Sequence, residues 1–353
     1  MIFYSLSDTV KPSRKTWKIV FIILGLMLIA AALAGWFGYN YYQQGLEPVA
    51  ITGVDQKVTI PAGASTVRIA NILLANGLIK DEVSFRIYTR VNGFDGRMKA
   101  GEYTFNDSMS VAEIVDIIVS GNVVTYPFTI PEGYTLKQIA RVLSDKGMVN
   151  EEKFWSLLEE GEFNFPYMNQ LLAGPNRFEG FLFPDTYHIP SYMTEQDIIQ
   201  MMLNRFLQVV DADMVKRAEE RGLSLMEYVT IASIIEREAS ADVDRPKIAG
   251  VIYNRLELGM PLQIDATVIY AHGEHIQRVL FQHLEIDSPY NTYKYAGIPP
   301  GPIAAPGEKS FEAAVTPEEH GFYFYVLKPD GTHHFSKTLT EHNRAVQEYL
   351  RSR

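Results

Sequence analysis

Two carboxylates emerge from the apolar run YVTIASIIEREAS at residues 228–240: Glu236 and Glu238. On a helical wheel at about 100° per residue, Glu236 lines up with Leu225, Val229 and Ala232. Glu238 falls nearly opposite, beside Glu227. A carboxyl on the apolar side of a helix is costly to ionise, so it can hold a proton near neutral pH, as a general acid must. The wheel therefore offers Glu236 as the acid and Glu238 as its solvated neighbour. A plain helix end carrying two surface acids fits the same window equally well.

Further polar groups gather between residues 254 and 293, in NRLELGMPLQIDATVIY and SPYNTY. Gln263, Asp265 and Thr267 alternate with apolar residues, so an extended segment would point all three to one side. With Asn254, Tyr290 and Asn291 they make the mixture a sugar site uses: partners for hydroxyls beside flat rings. The composition alone is weakly specific. A metal site built from His272, Glu274, His275 and His283 is disfavoured, because HGEH lacks the i,i+4 histidine spacing of a helical zinc site. There is no cysteine, which excludes disulfides, thiolate metal sites and a cysteine nucleophile. A net charge of −10 argues against a nucleic-acid partner, which would need a basic footprint. No cofactor motif is present.

These groups need a scaffold, and 353 residues with 47% hydrophobic content can supply more than one domain. Lys11, Arg14, Lys15 and Lys18 precede a stretch, 19–44, without any charge. Its densely apolar part, 19–38, is long enough to cross a bilayer. The basic flank places residues 1–18 in the cytoplasm and everything beyond the span (19–41) outside it. Trp36, Phe37, Tyr39, Tyr41 and Tyr42 form an aromatic belt at the exit. A cleaved signal peptide is the competing reading, because Ala32-Leu33-Ala34 resembles a cleavage site.

An internal repeat follows. TIPAGASTVRIANILLANG, from Thr59, and TIPEGYTLKQIARVLSDKG, from Thr129, align at a constant offset of 70 residues. Each copy predicts a strand, a Pro-Gly turn, and a helix opened by Ser65 or Thr135 and closed by a glycine. With a helix at 81–91 and a return strand at 101–105, the first copy completes a β-α-α-β unit within 55–125. That unit resembles a LysM-like domain, a module associated with peptidoglycan glycan; a duplicated packing unit without ligand fits the same pattern. Residues 126–353 predict a mainly helical body. Its helices span 136–146, 151–159, 194–210, 212–221, 246–258 and 339–351, besides the one carrying Glu236. A β-hairpin at 322–335 is expected, together with proline-rich irregular stretches at 176–190 and 290–307. The fold class is α+β.

ASIIERE (232–238), RPKIAGVIYNRLELGMPLQIDATVIYA (245–271), SPYNTYKYAGIPPGPIAAPG (288–307) and EGFLFPDTY (179–187) resemble the YceG-like family of endolytic murein transglycosylases. The resemblance implies a membrane-anchored lyase that cuts peptidoglycan glycan strands without water. The β-1,4 bond between N-acetylmuramic acid and N-acetylglucosamine breaks as the muramyl 6-hydroxyl closes onto C1. It implies that Glu236, the first glutamate of the motif, is the catalytic acid. Asn254, Gln263, Asp265, Thr267, Tyr290, Asn291 and Glu179 would hold sugar. No cofactor and no metal are implied. Peptidoglycan synthases are the implied partners, the cytoplasmic (inner) membrane the implied location, and limiting the length of nascent strands the implied task. Ala266 departs from the proline usual in the family's Q-x-D-P-T run. Two other readings stay open: a muramidase using Asp265 or Glu238 to activate water, and a non-catalytic glycan-binding scaffold.

Overall fold

The computed structural model describes residues 14–273, 276 and 279–351. The chain divides into two units, residues 1–125 and 126–353. Of the basic flank expected at residues 1–18, Lys11 lies outside the described residues, while Arg14, Lys15 and Lys18 belong to the first helix.

The first unit opens with α1 (Arg14–Leu46), 33 residues long and so about 50 Å at 1.5 Å per residue. Its apolar side chains, Ile22, Leu26 and Phe37 among them, are exposed along its length. One N-terminal helix is thus long and apolar enough to cross a membrane, as a single-pass anchor requires. After it come β1 (Asp55–Ile60), α2 (Thr66–Ala75), α3 (Glu82–Val91) and β2 (Gly101–Asn106), then α4 (Val111–Ser120). β1 and β2 pair antiparallel, with Val58 opposite Tyr103 and Ile60 opposite Gly101. The apolar positions of the repeat do what their spacing asks: Ile69, Ala70 and Leu73 of α2 are buried with Phe85, Tyr103, Phe105 and Ile114.

The second unit is mostly helical. β3 (Thr125–Thr129) leads into α5 (Leu136–Asp145) and α6 (Glu151–Glu160). The loop expected at 176–190 contains β4 (Thr186–Pro190), which pairs with β3. A strand so short and flanked by prolines offers little period to read. Its neighbours Phe178, Phe181 and Phe183 are core residues: Phe178 meets Phe163 edge-on, Phe181 packs against Phe165 and Phe206, and Phe183 stacks with Phe311. Then follow α7 (Glu195–Val209), α8 (Ala212–Glu220), α9 (Leu225–Glu238), α10 (Arg245–Glu257), α11 (Asp265–His272) and α12 (Glu308–Val315). The hairpin β5 (Phe324–Leu327) and β6 (His333–Ser336) and the helix α13 (Leu339–Arg351) close the chain.

α9 is the axis of this unit. A capping box between Ser224 and Glu227 starts it, and every residue from Tyr228 to Ile235 is buried against α8, α10, α11 and α12. A helix packed on all sides has no solvent stripe. That one fact decides how its two carboxylates are placed.

Candidate active site

Glu236 lies in the last turn of α9, two residues from its end, and its side chain is 8% exposed. The carboxylate meets donors rather than hydrocarbon. Arg245 reaches it with both terminal nitrogens, Nη1 to Oε2 at 3.0 Å and Nη2 to Oε1 at 3.3 Å. Ser310 Oγ donates to Oε2 at 2.8 Å, and so does the backbone N–H of Gly307 at 3.1 Å. Gly307 is the N-cap of α12 and supplies no side chain. Glu236 therefore serves as the anionic cap of that helix, where the positive end of the dipole favours negative charge.

Arg245 is placed by a short 3-10 turn, Asp242–Asp244, that opens α10. Its Nε donates to Asp242 Oδ1 at 3.1 Å, and its Nη1 also donates to Ser310 Oγ. Burial pulls Arg245 down, but the Glu236 and Asp242 carboxylates outweigh it and push it up. Asp242 pairs in turn with Lys309, and the two cations hold it below the usual carboxylate range.

The proline-rich segment 290–307 has no regular structure, yet several of its backbone N–H groups find partners near the site. Ile303 N–H donates to Ser233 Oγ of α9 at 3.1 Å, and Gly307 N–H donates to Glu236. Between them Ala305 exchanges backbone bonds with the turn before α5: its N–H donates to Tyr134 O, and its carbonyl accepts from Gly133 N–H, both at 2.8 Å. Arg237 Nη1 adds a bond to Gly133 O at 3.1 Å. Strap, helix end and turn converge at Glu236.

Glu238 is not the solvated neighbour that the wheel suggested. It is half-buried and accepts a hydrogen bond from Tyr325 of β5 at 2.7 Å. Burial pushes its carboxyl up, the Tyr325 bond opposes this, and the charge of Asp265 adds to it. The wheel assumed that a face opposite an apolar one meets water, and α9 has no such face.

Nor do Gln263, Asp265 and Thr267 share one side of an extended segment. Helix α11 begins at Asp265, with Gln263 just before it at a left-handed φ of 52°. Gln263 and Asp265 are exposed, and Tyr293 OH donates to Asp265 at 2.6 Å. Thr267 is buried and bonds to Ile264 O and Thr292 Oγ1. Asn291 is buried too, donating to Leu284 O and Ile286 O. Asn254 holds His320 O at 2.8 Å and Phe322 O at 2.9 Å. These three act as internal braces, their polar atoms spent on the protein's own backbone.

Glu179 is buried, accepting from Leu136 N–H at 2.9 Å and Tyr270 OH at 3.1 Å. Burial pushes its carboxyl up to about 8, against the pull of these bonds. The half-buried Tyr290 lies with its ring 4.9 Å from that of Tyr270, so Glu179, Tyr270 and Tyr290 form one cluster. His272 and His283 come together at 5.4 Å between rings, while Glu274 and His275 lie outside the described residues. A groove of about 730 Å³ runs between β4 and α7, past Tyr192, Gln200 and Arg205; it contains none of these candidate residues.

The YceG-like family description matches residues 58–348. This chain is a member of the YceG-like family. An endolytic murein transglycosylase of Bacillus subtilis (strain 168) is 38% identical over 336 residues, which cover 89% of this chain and 91% of the relative. A second, from Streptococcus pneumoniae serotype 2, is 30% identical over 94% of this chain and 66% of its own length. The crystal structure of a YceG-like protein from Listeria monocytogenes, 35% identical, superposes with a TM-score of 0.57 over 83% of this chain and all of that one.

Within this YceG-like chain, sequence reasoning singled out Glu236 but missed the groups that hold it. Arg245 lies nine residues on and Ser310 lies 74 residues on. Neither stands in a periodic relation to Glu236, so only the packing of α9, α10 and α12 brings them together.

Proposed function

We propose that this chain is a membrane-anchored endolytic murein transglycosylase acting through Glu236. The observation that carries the reading is the fixed Glu236 carboxylate: one helix end, held by Arg245, Ser310 and Gly307, in a chain of this family. The substrate is the β-1,4 bond between N-acetylmuramic acid and N-acetylglucosamine inside a glycan strand. Bond C1–O4 breaks, O6 of the muramyl residue bonds to C1, and the proton lost by O6 equals the proton gained by O4. No water enters, so no second carboxylate is needed to activate one, unlike in an ordinary glycosidase. Glu236, rigid and rich in acceptor capacity, takes the O6 proton. In the simplest cycle it has just given one to O4.

Gln263, Asp265 and the ring of Tyr290 contact sugar in this reading, because they retain exposed surface. Asn254, Thr267, Asn291 and Glu179 shape the walls behind them. The β-α-α-β unit is LysM-like and holds glycan, α1 anchors the chain with residues 1–18 in the cytoplasm and the site outside it, and peptidoglycan synthases supply the nascent strands whose length the cut limits. Two measurements test the core of this. Glu236→Gln is expected to fold normally and to lose at least ~10³-fold in strand cutting; normal cutting by that variant refutes the assignment. Mass spectrometry of wild-type products is expected to show anhydro ends, lighter than reducing ends by one water. Reducing ends would make the enzyme a hydrolase.

A further inference from the structure

Beside Glu236 lies a second carboxyl, Glu132, in the turn TIPEGY that precedes α5. Three observations place it there. A side chain built on Gly307 would collide with the Glu132 carboxylate, 2.0 Å from Oε1 and 2.2 Å from Cδ. Glu132 therefore rests on the backbone of the residue whose N–H holds Glu236. The next residue, Gly133, has φ 76°, and a Cβ there would sit 3.9 Å from Glu236 Cγ. Finally, the bonds of Gly133 and Tyr134 to Ala305 and of Arg237 to Gly133 pin the turn at that point. Unlike Glu236, Glu132 is exposed and can meet a polymer from outside.

The hydrogen bonds of Glu236 are all accepted: Arg245, Ser310 and Gly307 present donors to it. That pattern suits the group that takes a proton from O6 better than the group that delivers one to O4. We propose that Glu132 is the second catalytic carboxyl, giving its proton to the leaving O4 while Glu236 receives the proton of O6. This rests on the transglycosylase reading and divides its proton work between two groups. Bond C1–O4 breaks with its electrons going to O4, which takes the Glu132 proton. O6 bonds to C1 and its proton goes to Glu236. The cycle closes when that proton returns from Glu236 to Glu132, with nothing else consumed. Partial desolvation and the charge of Glu236 push the Glu132 carboxyl up, while Arg245 and Lys309 pull it down and Asp242 adds to the rise. The direction agrees with the geometry, since Glu132 is shifted toward holding a proton, and paired acids separate their roles when their surroundings differ.

The test compares two leaving groups in the full-length enzyme. A glycan strand leaves as an alkoxide and needs the proton; a 4-nitrophenyl glycoside of a muramyl oligosaccharide leaves as a phenolate and does not. Glu132→Gln is expected to slow strand cutting by roughly 10²–10⁴-fold and aryl release by at most about tenfold, with an unchanged melting temperature. The fall of strand cutting at high pH, set by loss of the Glu132 proton, is expected to vanish in that variant. Strand cutting within about threefold of wild type overturns the proposal. An equal loss on both substrates also overturns it, because that marks a merely structural residue. Glu236→Gln, run in parallel, reports separately on the transglycosylase reading.

Discussion

The two copies of the repeat, 59–77 and 129–147, are the same local structure put to different uses. In each, a strand ends at a Pro-Xaa-Gly turn whose glycine has positive φ, 69° at Gly63 and 76° at Gly133. A ten-residue helix follows, capped by Ser65 or Thr135. Ile69, Ala70 and Leu73 are buried in one copy, and Ile139, Ala140 and Leu143 in the other. A second positive-φ glycine, Gly77 or Gly147, closes each. The surroundings differ. Nothing lies within 4 Å of a Cβ built on Gly63, whereas one on Gly133 meets Arg237 and Glu236. The residue before that glycine is Ala62 in the first copy and Glu132 in the second. Local code builds the turn, and the neighbours decide whether the turn does chemistry.

Exchanging that one residue breaks the comparison most sharply. Glu132→Ala gives the second copy the first copy's sequence at the turn and is expected to cut strand turnover by roughly 10²-fold or more, with little change in melting temperature for an exposed side chain. Ala62→Glu gives the first copy the acid without the Glu236 neighbourhood, and turnover is expected to stay at the wild-type level. Assays of both variants on purified strands check this. Loss in Ala62→Glu would mean that the first turn also serves the reaction.

The contrast shows what was legible beforehand. Both turns, both caps and the helix periods could be read from the sequence because each depends on residues within a few positions of one another. The bounds of α13 and of the β-α-α-β elements came out close for the same reason. The wheel placed Glu238 in water because a wheel describes one helix alone, and α9 is wrapped on every side. Gln263, Asp265 and Thr267 alternate like a strand, yet Asp265 opens a helix, since a three-residue alternation is too short to outweigh the packing of Thr267 against Thr292. Glu236 could be singled out as an acid on a helix, but Arg245, Ser310, Gly307 and Glu132 reach it only through tertiary packing.

A smaller effect sharpens the comparison at the start of the second helix. The first N–H of α5, that of Leu136, bonds to the buried Glu179 carboxyl; in the first copy the corresponding Thr66 uses its hydroxyl, on Asp95. Glu179 has its constant raised from 4.5 to about 8. Between those values the folded protein keeps a proton that the unfolded chain has released. The stability from Glu179 is therefore fully present below about pH 4.5, falls as pH rises, and is lost by about pH 8. At about 1.4 kcal/mol per tenfold change in the constant, the fall is a few kcal/mol. Glu179→Gln, which carries no titrating proton, is expected to flatten the melting temperature between pH 5 and 8. An equally steep profile in the variant would show that the slope arises elsewhere.

The finest difference lies in the caps themselves. Thr135 and Gln138 form a reciprocal box: Thr135 N–H donates to Gln138 Oε1 at 2.8 Å, and Gln138 N–H donates to Thr135 Oγ1 at 3.3 Å. Ser65 accepts from Arg68 N–H at 3.3 Å and gets nothing back, because an arginine side chain at that position has no acceptor to offer. Removing either hydroxyl is expected to cost about 1 kcal/mol. Amide hydrogen exchange reads this locally, as roughly fivefold faster exchange at Arg68 in Ser65→Ala and at Gln138 in Thr135→Ala. The box should add a second effect in the α5 copy alone: without the hydroxyl to orient it, the Gln138 side chain loosens and the Thr135-position N–H also exchanges faster. In Ser65→Ala the N–H at position 65 should be unchanged. Equal behaviour of those two N–H groups would mean that the box contributes nothing beyond a single cap bond, and that the second copy is held to its site by Glu179, Arg237 and the backbone bonds to Ala305.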